Sequence, residues 1–344
     1  MSLPTVLLYL VCLALALSVS FALTPVFRII AIRMGEVDRP TEIKTHKIPT
    51  PLFGGAAVFI AFSFSLVCIR LLTSFPTGTL HDLRAIMLGG AGMFLLGLVD
   101  DLKKPAGLGV RTKFIFQFLI AGMTVNYGFG IHFLTPEYLA AIISVVWIVG
   151  VSNAFNLIDI MDGLSSSQIV ICSLGFLMIS FPSEAVYVNF ASAALAGAAL
   201  GFIPWNMSDR RKIFMGDSGS LFCGYVMSVI ALGATYTDVN PLGVYAPLLV
   251  LSVPVFDTVF VSVLRMGRGM SPFRGSLDHF ALRLEKTGIS RKNVVLITSG
   301  ATIVLCVAAC VLTIIPMKGG IFLLSTTVLA ILLAAFQLSK IRME

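Results

Sequence analysis

A short polar stretch between two apolar segments is the first candidate for chemistry in this sequence. Residues 153–163 carry two carboxamides, Asn153 and Asn156, and two carboxylates, Asp159 and Asp162. Ionisable groups are unfavourable at membrane depth and are tolerated where they face a polar cavity or bind a cation. We therefore interpret this stretch as part of a functional site.

Two further acidic clusters are candidates for the same site. Asp100 and Asp101 directly follow one apolar segment, and Asp217 lies between Gly216 and Ser218 at the start of another. Neighbouring carboxylates on a helix point about 100° apart, so Asp100 and Asp101 should take different roles. Each cluster alone could be a helix cap. Three helix caps on one side of a membrane are less expected than one shared site. A site whose ligands are oxygen atoms, without His or Cys, favours Mg²⁺ or Mn²⁺ over zinc.

Basic residues share the segments that carry these acids. They are Lys103, Lys104, Arg111, Lys113, Arg210, Arg211 and Lys212. Lysine and arginine bind phosphate oxygens through charge-assisted hydrogen bonds. Magnesium sites usually combine one or two protein ligands with water and substrate phosphates. The combination therefore predicts a phosphorylated substrate.

Segment 265–292 combines glycine, proline and arginine residues, among them Arg274, with a single histidine, His279. This composition is typical of an ordered loop that reaches over a site to bind an anionic ligand. A lone histidine is more often structural than catalytic, so both roles stay open for His279. Asp257 lies inside an apolar run close to Pro254, and we expect it to be buried against another helix or against this loop.

The composition identifies the setting of these clusters. The 344-residue chain is 57% hydrophobic and only 12% charged, and its mean hydropathy is +0.97, unlike that of a soluble domain. We predict an all-α, polytopic membrane protein with one domain over residues 1–344 and a first span that is retained rather than cleaved. About eleven apolar runs have the length of a membrane span: 4–27, 52–72, 84–99, 114–130, 137–152, 164–181, 186–204, 219–236, 243–264, 293–315 and 319–339.

The distribution of basic residues predicts the orientation. With eleven spans, one side of the membrane receives segments 28–50, 100–113, 153–163, 205–217, 265–292 and 340–344. These segments carry 21 of the 24 Lys and Arg residues, so the positive-inside rule makes this side cytoplasmic. The N-terminus is then outside, the C-terminus is inside, and all three acidic clusters face the cytoplasm. Attraction to anionic membrane lipids is a second explanation for the scattered basic residues.

The order of these motifs resembles that of a known enzyme family. The motifs lie at residues 37–40, 49–55, 97–101, 153–164, 214–221 and 271–279. Over residues 35–291 the chain is similar to the polyprenyl-phosphate N-acetylhexosamine-1-phosphate transferases. These integral membrane enzymes include the initiating transferases for enterobacterial common antigen and teichoic acid and, more distantly, the phospho-N-acetylmuramoyl-pentapeptide transferase.

The resemblance implies an activity and its partners. A polyprenyl phosphate such as undecaprenyl phosphate would attack the β-phosphorus of a UDP-N-acetylhexosamine, with UDP-GlcNAc as the first choice and Mg²⁺ on the diphosphate. UMP would leave, and the lipid diphosphate-sugar would begin the synthesis of a cell-envelope glycan, such as lipopolysaccharide, at the inner membrane. No nucleic acid partner is implied, and a homodimer is one of the assembly states left open.

The resemblance also implies roles for individual residues. The metal ligands, by this matching, are Asn156 and Asp217. The residues expected to act on the lipid phosphate, the nucleotide or the metal hydration are Asp100, Asp101, Asp159, Asp162 and His279. Further substrate contacts are expected from Lys113, Asn153, Phe214, Gly216, Arg274 and Arg283.

Two positions depart from the family pattern. Ile160 stands where family members commonly have glycine, and His279 stands alone where many carry a histidine-rich run. The second departure argues against the pentapeptide transferase branch. Arg283, close behind His279, is expected to replace the missing imidazoles.

Two other classes of protein fit parts of the pattern. An ion-coupled transporter also has many spans, intramembrane acids and interrupted helices. Its acids would lie near the bilayer midplane, however, and this sequence shows no internal repeat. A non-catalytic membrane scaffold would leave the oxygen-ligand clusters unexplained. The transferase therefore accounts for more of the sequence than either alternative.

Overall fold

The computed structural model describes residues 3–38, 49–73, 78–104, 106–181, 185–234, 236–237, 239–272 and 276–343. The α-helices in this part of the chain are α1 (Leu3–Met34), α2 (Gly54–Leu72), α3 (Thr79–Leu102), α4 (Val110–Asn126), α5 (Glu137–Leu157), α6 (Leu164–Ser180), α7 (Val186–Asn206), α8 (Gly216–Gly233), α9 (Ala246–Val250), α10 (Ser252–Gly267), α11 (Phe280–Lys286), α12 (Arg291–Ile314) and α13 (Met317–Ser339). A 3₁₀ helix, Pro241–Tyr245, precedes α9. The predicted all-α class needs one correction, because β1 (Val37–Asp38) and β2 (Thr50–Pro51) form a short antiparallel pair.

The predicted apolar runs all coincide with helical structure. Within the described residues, seven helices are long and apolar enough to cross a membrane, namely α1, α2, α3, α5, α7, α12 and α13. An eighth crossing arises if Pro241–Val250 and Ser252–Gly267, which are bent by 72°, form one span. The remaining predicted positions are filled by α4, α6 and α8, which have 17 or 18 residues. The protein is therefore a largely helical, polytopic membrane protein, and the count of eleven crossings stays a prediction.

Several helices run further than the apolar pattern predicts, among them α1 and α3. α1 continues past residue 27 to Met34, and α3 continues past residue 99 to Leu102. Hydrophobicity ends at the membrane boundary, whereas helical hydrogen bonding continues until the backbone turns. For α1 that turn comes at Gly35, whose φ of 77° favours glycine. In α3 the extension places Asp100 and Asp101 in the last helical turn.

α8 is the central helix of the bundle. It is buried over nearly its whole length and packs against α2, α3 and α5. Its start is tied to the start of α2, because the N–H of Gly55 donates to the carbonyl of Met215 at 2.8 Å. A Cβ on Gly55 would lie 2.3 Å from the backbone nitrogen of Gly219. The glycines of the 49–55 motif therefore serve close packing of α2 against α8.

α3 and α5 approach α8 equally closely. A Cβ on Gly97 in α3 would lie 2.3 Å from the carbonyl oxygen of Asp217. A Cβ on Gly224 in α8 would lie 2.8 Å from the Cα of Ser152 in α5. These contacts bring the C-terminal ends of α3 and α5 to the N-terminal end of α8. The polar residues at those three ends are thereby placed together.

Candidate functional site

The acidic clusters meet at the start of α8. The Nζ atoms of Lys113 and Lys104 lie 2.6 and 3.2 Å from the carboxylate of Asp217. Lys113 also contacts Asp100 at 3.1 Å, and Lys104 contacts Asp101 at 2.8 Å. Three carboxylates and two ammonium groups therefore form one network, in which each lysine joins Asp217 to one member of the α3 pair. We call these five residues the α8 charge network.

The two neighbouring carboxylates of α3 have different partners, as their orientation predicts. Asp100 accepts a hydrogen bond from the N–H of Leu108 at 2.6 Å and so fixes the connection between α3 and α4. Asp101 is fully buried. It accepts from the backbone N–H groups of Asp217 and Ser218 at 3.0 and 2.9 Å. Asp101 thus caps the N-terminus of α8 from another helix, where a negative charge is favoured.

Gly216 permits this cap. Its φ of 73° lies in the left-handed region, which favours glycine. A Cβ at this position would lie 2.6 Å from Oδ2 of Asp101. The approach of Asp101 therefore explains Gly216 without a substrate, although Gly216 also lines the cavity described next.

A cavity of about 330 Å³ opens beside the network. The predicted site residues that line it are Asn156, Asp159, Asp162, Phe214, Gly216, Asp217 and His279. Its other polar lining residues are Asp38, Lys104, Asn206, Ser276 and Arg291. The cavity therefore brings the polar stretch at residues 153–163, which we call the central stretch, into one space with the start of α8 and the segment before α11.

The central stretch lies at the end of α5 and in the turn that follows. The side-chain N–H of Asn156 donates to the hydroxyl of Ser220 at 2.9 Å, a bond that leaves the amide oxygen unused. Asp162 pairs with Lys212 at 2.5 Å. This pair joins the turn after α5 to the segment between α7 and α8. Asn156 therefore keeps an oxygen donor for a ligand, whereas Asp162 has a cation partner already.

Asp159 experiences an excess of negative charge. Burial, and then the charge of Asp217, raise the pKa of Asp159 to about 7, and Lys104 opposes this rise only in part. Within the described residues no side chain donates a hydrogen bond to Asp159. The acids also act on the lysine: burial alone would lower the pKa of Lys104, but Asp217 and Asp101 hold it above its usual range. A further cation here would stabilise the ionised form of Asp159.

These donors fit a magnesium ion that is held partly by its substrate. Among the described residues, no group of three or more His, Cys, Asp or Glu side chains is arranged to hold a metal by itself. Mg²⁺ usually needs fewer, because water and phosphate oxygens complete its shell. Asn156, Asp159 and Asp217, each of which carries side-chain oxygen, line the cavity and meet this smaller requirement.

Not all of the residues predicted to contact the substrate lie at the cavity in the described part of the chain. Asn153 pairs with Gln117 through both amide groups, at 2.7 and 3.3 Å, and joins α5 to α4. It does not belong to the cavity lining. Arg274 lies outside the described residues. Phe214, by contrast, lines the cavity as predicted.

Arg283 also differs from its expected place beside the cavity. The side chain is fully buried, and Nη2 lies 2.6 Å from a carboxylate oxygen of Asp278. Nη1 donates to the carbonyl of Leu338 at 3.1 Å and to that of Ile341. The guanidinium therefore fixes the end of α13 to α11. Because these groups use its donors, the arrangement does not support Arg283 as a replacement for the missing imidazoles.

Lys104 is one of the site residues that the sequence analysis did not single out, because it was one of seven basic residues in the segments that carry the acids. The spacing between Asp101 and Lys104 could have identified Lys104 as a partner of the acids. Lys104 follows Asp101 by three positions, and residues so spaced are neighbours at a helix end. Nothing in the spacing indicated its second contact with Asp217.

Comparison with known proteins decides the family. Residues 83–235 match the profile of glycosyl transferase family 4. The probable undecaprenyl-phosphate N-acetylglucosaminyl 1-phosphate transferase of Bacillus subtilis is 31% identical over 325 residues, which cover 92% of this chain and 87% of the relative. The chain belongs to this family.

Further relatives from other bacteria agree. The decaprenyl-phosphate N-acetylglucosaminephosphotransferase of Mycobacterium tuberculosis is 31% identical over 322 residues, 84% of this chain and 78% of that protein. The undecaprenyl-phosphate alpha-N-acetylglucosaminyl 1-phosphate transferase of Escherichia coli is 27% identical over 292 residues, 80% of this chain and 76% of that protein. The resemblance inferred from the motifs is confirmed, and the matched residues 83–235 contain the whole α8 charge network.

Replacing Asp101 with asparagine should destabilise the start of α8. One carboxamide oxygen cannot accept both backbone N–H groups that Asp101 holds, and an unpaired buried donor costs about 1–3 kcal/mol. We expect a lower midpoint of thermal unfolding for Asp101→Asn in detergent, measured by intrinsic fluorescence. Asp209→Asn makes the same change at an exposed aspartate and should leave the midpoint unchanged. Equal midpoints for the two variants would show that Asp101 does not cap α8.

Proposed function

We propose that this chain transfers N-acetylglucosamine 1-phosphate from UDP-GlcNAc to a polyprenyl phosphate such as undecaprenyl phosphate. The names of the relatives specify that group and that class of lipid. The observation that carries the proposal for this chain is the α8 charge network, which adjoins a cavity of about 330 Å³. The products would be UMP and a lipid diphosphate-sugar that initiates a cell-envelope glycan.

The network suits a reaction in which one phosphate approaches another. Like charges oppose that approach, and catalysis of phosphoryl transfer consists mainly of positioning and charge stabilisation. When bound, Mg²⁺ would supply positive charge at the diphosphate oxygens. Asn156 and Asp217 would hold it. Lys104 and Lys113, which now share the Asp217 carboxylate, would then be able to bind phosphate oxygens.

Asp100 has an orienting role in this proposal. A phosphate monoester has a second pKa of about 6 and is mostly ionised near pH 7, so the lipid phosphate does not need a strong base. Asp100 instead fixes Lys113 and the N–H of Leu108. An oxygen of the lipid phosphate forms a bond to the β-phosphorus while the bond from that phosphorus to the bridging oxygen breaks. UMP leaves with that oxygen.

We place the site on the cytoplasmic face of the cell membrane. The segments assigned to that face carry 21 of the 24 Lys and Arg residues, and the positive-inside rule gives them a cytoplasmic location. The ends of α3 and α5 meet the start of α8 there. A nucleotide sugar made in the cytoplasm would reach this face directly, and the lipid phosphate would reach it along the membrane surface.

Asp217→Asn should abolish turnover while the protein stays folded. The variant keeps the shape of the side chain but removes the charge that would bind the metal. We expect the rate of UMP release to fall by about 100-fold or more, in parallel with the loss on chelation of Mg²⁺ by EDTA. Size-exclusion profiles and unfolding midpoints establish folding, and Asp209→Asn serves as the control. A near-normal rate at ordinary Mg²⁺ concentration would refute the metal assignment.

The reaction should be readily reversible. It exchanges one phosphoanhydride for another, so neither direction is strongly favoured. Labelled UMP, added to the protein with Mg²⁺ and lipid diphosphate-GlcNAc, should appear in UDP-GlcNAc when the nucleotides are separated by chromatography. The Asp217→Asn variant should give no exchange. Absence of exchange by the unmodified protein, with UDP as the nucleotide product of the forward reaction, would mean that cleavage falls at the anomeric carbon.

A further inference from the structure

A buried aspartate outside the α8 charge network contacts the histidine of the cavity. Asp257 lies in α10 and is fully buried. Its Oδ2 lies 2.6 Å from Nδ1 of His279, and its Oδ1 accepts from the N–H of Phe280 at 3.0 Å. The prediction that Asp257 is buried against another helix or against segment 265–292 is therefore confirmed, and the partner is that segment. One carboxylate fixes both the imidazole and the backbone at the start of α11.

Aromatic residues adjoin both partners in the chain, since Phe256 precedes Asp257 and Phe280 follows His279. The ring of Phe256 lies 5.3 Å from that of Phe260 and 6.2 Å from that of Phe280. A fully buried carboxylate is strongly unfavourable unless it is paired and hydrogen-bonded. Within the described residues, the imidazole of His279 and the N–H of Phe280 are its hydrogen-bond partners. The buried carboxylate of Asp257 therefore requires that His279 donate a hydrogen bond to it from Nδ1.

The contact with Asp257 determines which edge of the imidazole is left for the cavity. His279 is only 4% exposed and lines the cavity. Its Nδ1 is occupied by Asp257, so Nε2 is the nitrogen that a ligand can reach. A carboxylate only accepts hydrogen bonds, so the ring nitrogen that faces Asp257, Nδ1, carries the proton. In the neutral imidazole, Nε2 is then without a proton. Position, rotation and tautomer of the ring all follow from one buried residue.

We propose that Asp257 is a positioning residue, which holds His279 with Nδ1 protonated so that Nε2 accepts a hydrogen bond from a hydroxyl or amide N–H of the sugar part of the nucleotide sugar. The proposal about the contact rests on the proposed function. The arrangement of Asp257 and His279 itself does not. Asp257 touches no substrate in this scheme and acts only through the imidazole.

The Asp257→Asn substitution discriminates this role from simple packing. The amide has the same shape, but only one of its two polar atoms can accept. If the amide oxygen keeps the N–H of Phe280, the amide nitrogen faces Nδ1 of His279 and donates to it. The ring proton then has to move from Nδ1 to Nε2. Asp257→Asn therefore changes the hydrogen-bonding character of Nε2 while the ring stays in place.

The first test is a double-mutant cycle of Asp257→Asn and His279→Ala, measured as kcat and KM for UDP-GlcNAc through UMP release. We expect Asp257→Asn to lower kcat/KM by about 10- to 100-fold, as loss of a histidine's carboxylate partner does at metal sites. In the His279→Ala background the same change should cause no further loss. Asp209→Asn should behave as wild type in both backgrounds. Losses that multiply, or a single variant with normal kcat/KM, would overturn the proposal.

The second test does not depend on activity. Protein labelled with ¹⁵N-histidine reports the protonation of each ring nitrogen by NMR, and the signal of His279 is the one that His279→Ala removes. We expect a proton on Nδ1 in the unmodified protein and its loss from Nδ1 in Asp257→Asn. If Asp257→Asn does not fold, Asp257→Glu, which retains the carboxylate but displaces it, enters the same cycle with the same expected non-additivity. An unprotonated Nδ1 in the unmodified protein would refute the arrangement, whereas a protonated Nδ1 without UMP release would refute only the proposed function.

Discussion

The structure depends on the balance of charge at the N-terminus of α8. Three carboxylates meet there among tightly packed helices. Two lysines offset their mutual repulsion, and so do the backbone N–H groups that donate hydrogen bonds to Asp101. Removing one partner of these partly buried ion pairs leaves a charge without its counter-charge, which is destabilising. The network therefore tolerates few changes. It also explains why the chain retains so many ionisable groups at the edge of an apolar bundle.

The helices around α8 can be understood as the means of maintaining that balance. Asp217 can meet Asp101 only if α3 approaches α8 at backbone distance, and Gly97 and Gly216 leave the space for it. Gly55 does the same for α2. The outer helices are less constrained, since α13 is exposed along almost its entire length. Close backbone packing thus surrounds the charged residues, and it also joins α7 to α1, where a Cβ on Gly197 would lie 2.2 Å from the carbonyl oxygen of Leu13.

Much of the site could be predicted from sequence because its residues are conspicuous there. Acids such as Asp159 and Asp217 are unfavourable between apolar segments, so their presence alone indicates a polar site. The predicted divergence of Asp100 and Asp101 also follows from helix geometry. Their partners do not. The capping of α8 by Asp101 joins positions 116 residues apart, and no local pattern encodes such a contact.

The same lack of information about contacts between distant positions explains why Arg283 does not lie where the sequence analysis expected it. Arg283 lies close to His279 in sequence, yet its donors are used by Asp278 and by carbonyls at the end of α13. The position of the Arg283 side chain depends on the contact between α11 and α13. The hydrophobic periodicity of the sequence does not specify that contact. The extension of α1 to Met34 was missed for a different reason, because hydropathy reports the membrane boundary rather than the end of a helix.

The central claim is that this arrangement of carboxylates and lysines stabilises charge on phosphate oxygens during attack at phosphorus. The most direct measurement follows the β-phosphorus itself. UDP-GlcNAc labelled with ³²P in the β-phosphate is incubated with the protein, unlabelled polyprenyl phosphate and Mg²⁺, and the mixture is then extracted with organic solvent. The account predicts that the label enters the lipid fraction while the aqueous phase gains unlabelled UMP. Label that stays in the aqueous phase as UDP, beside a lipid that has gained only the sugar, would contradict it.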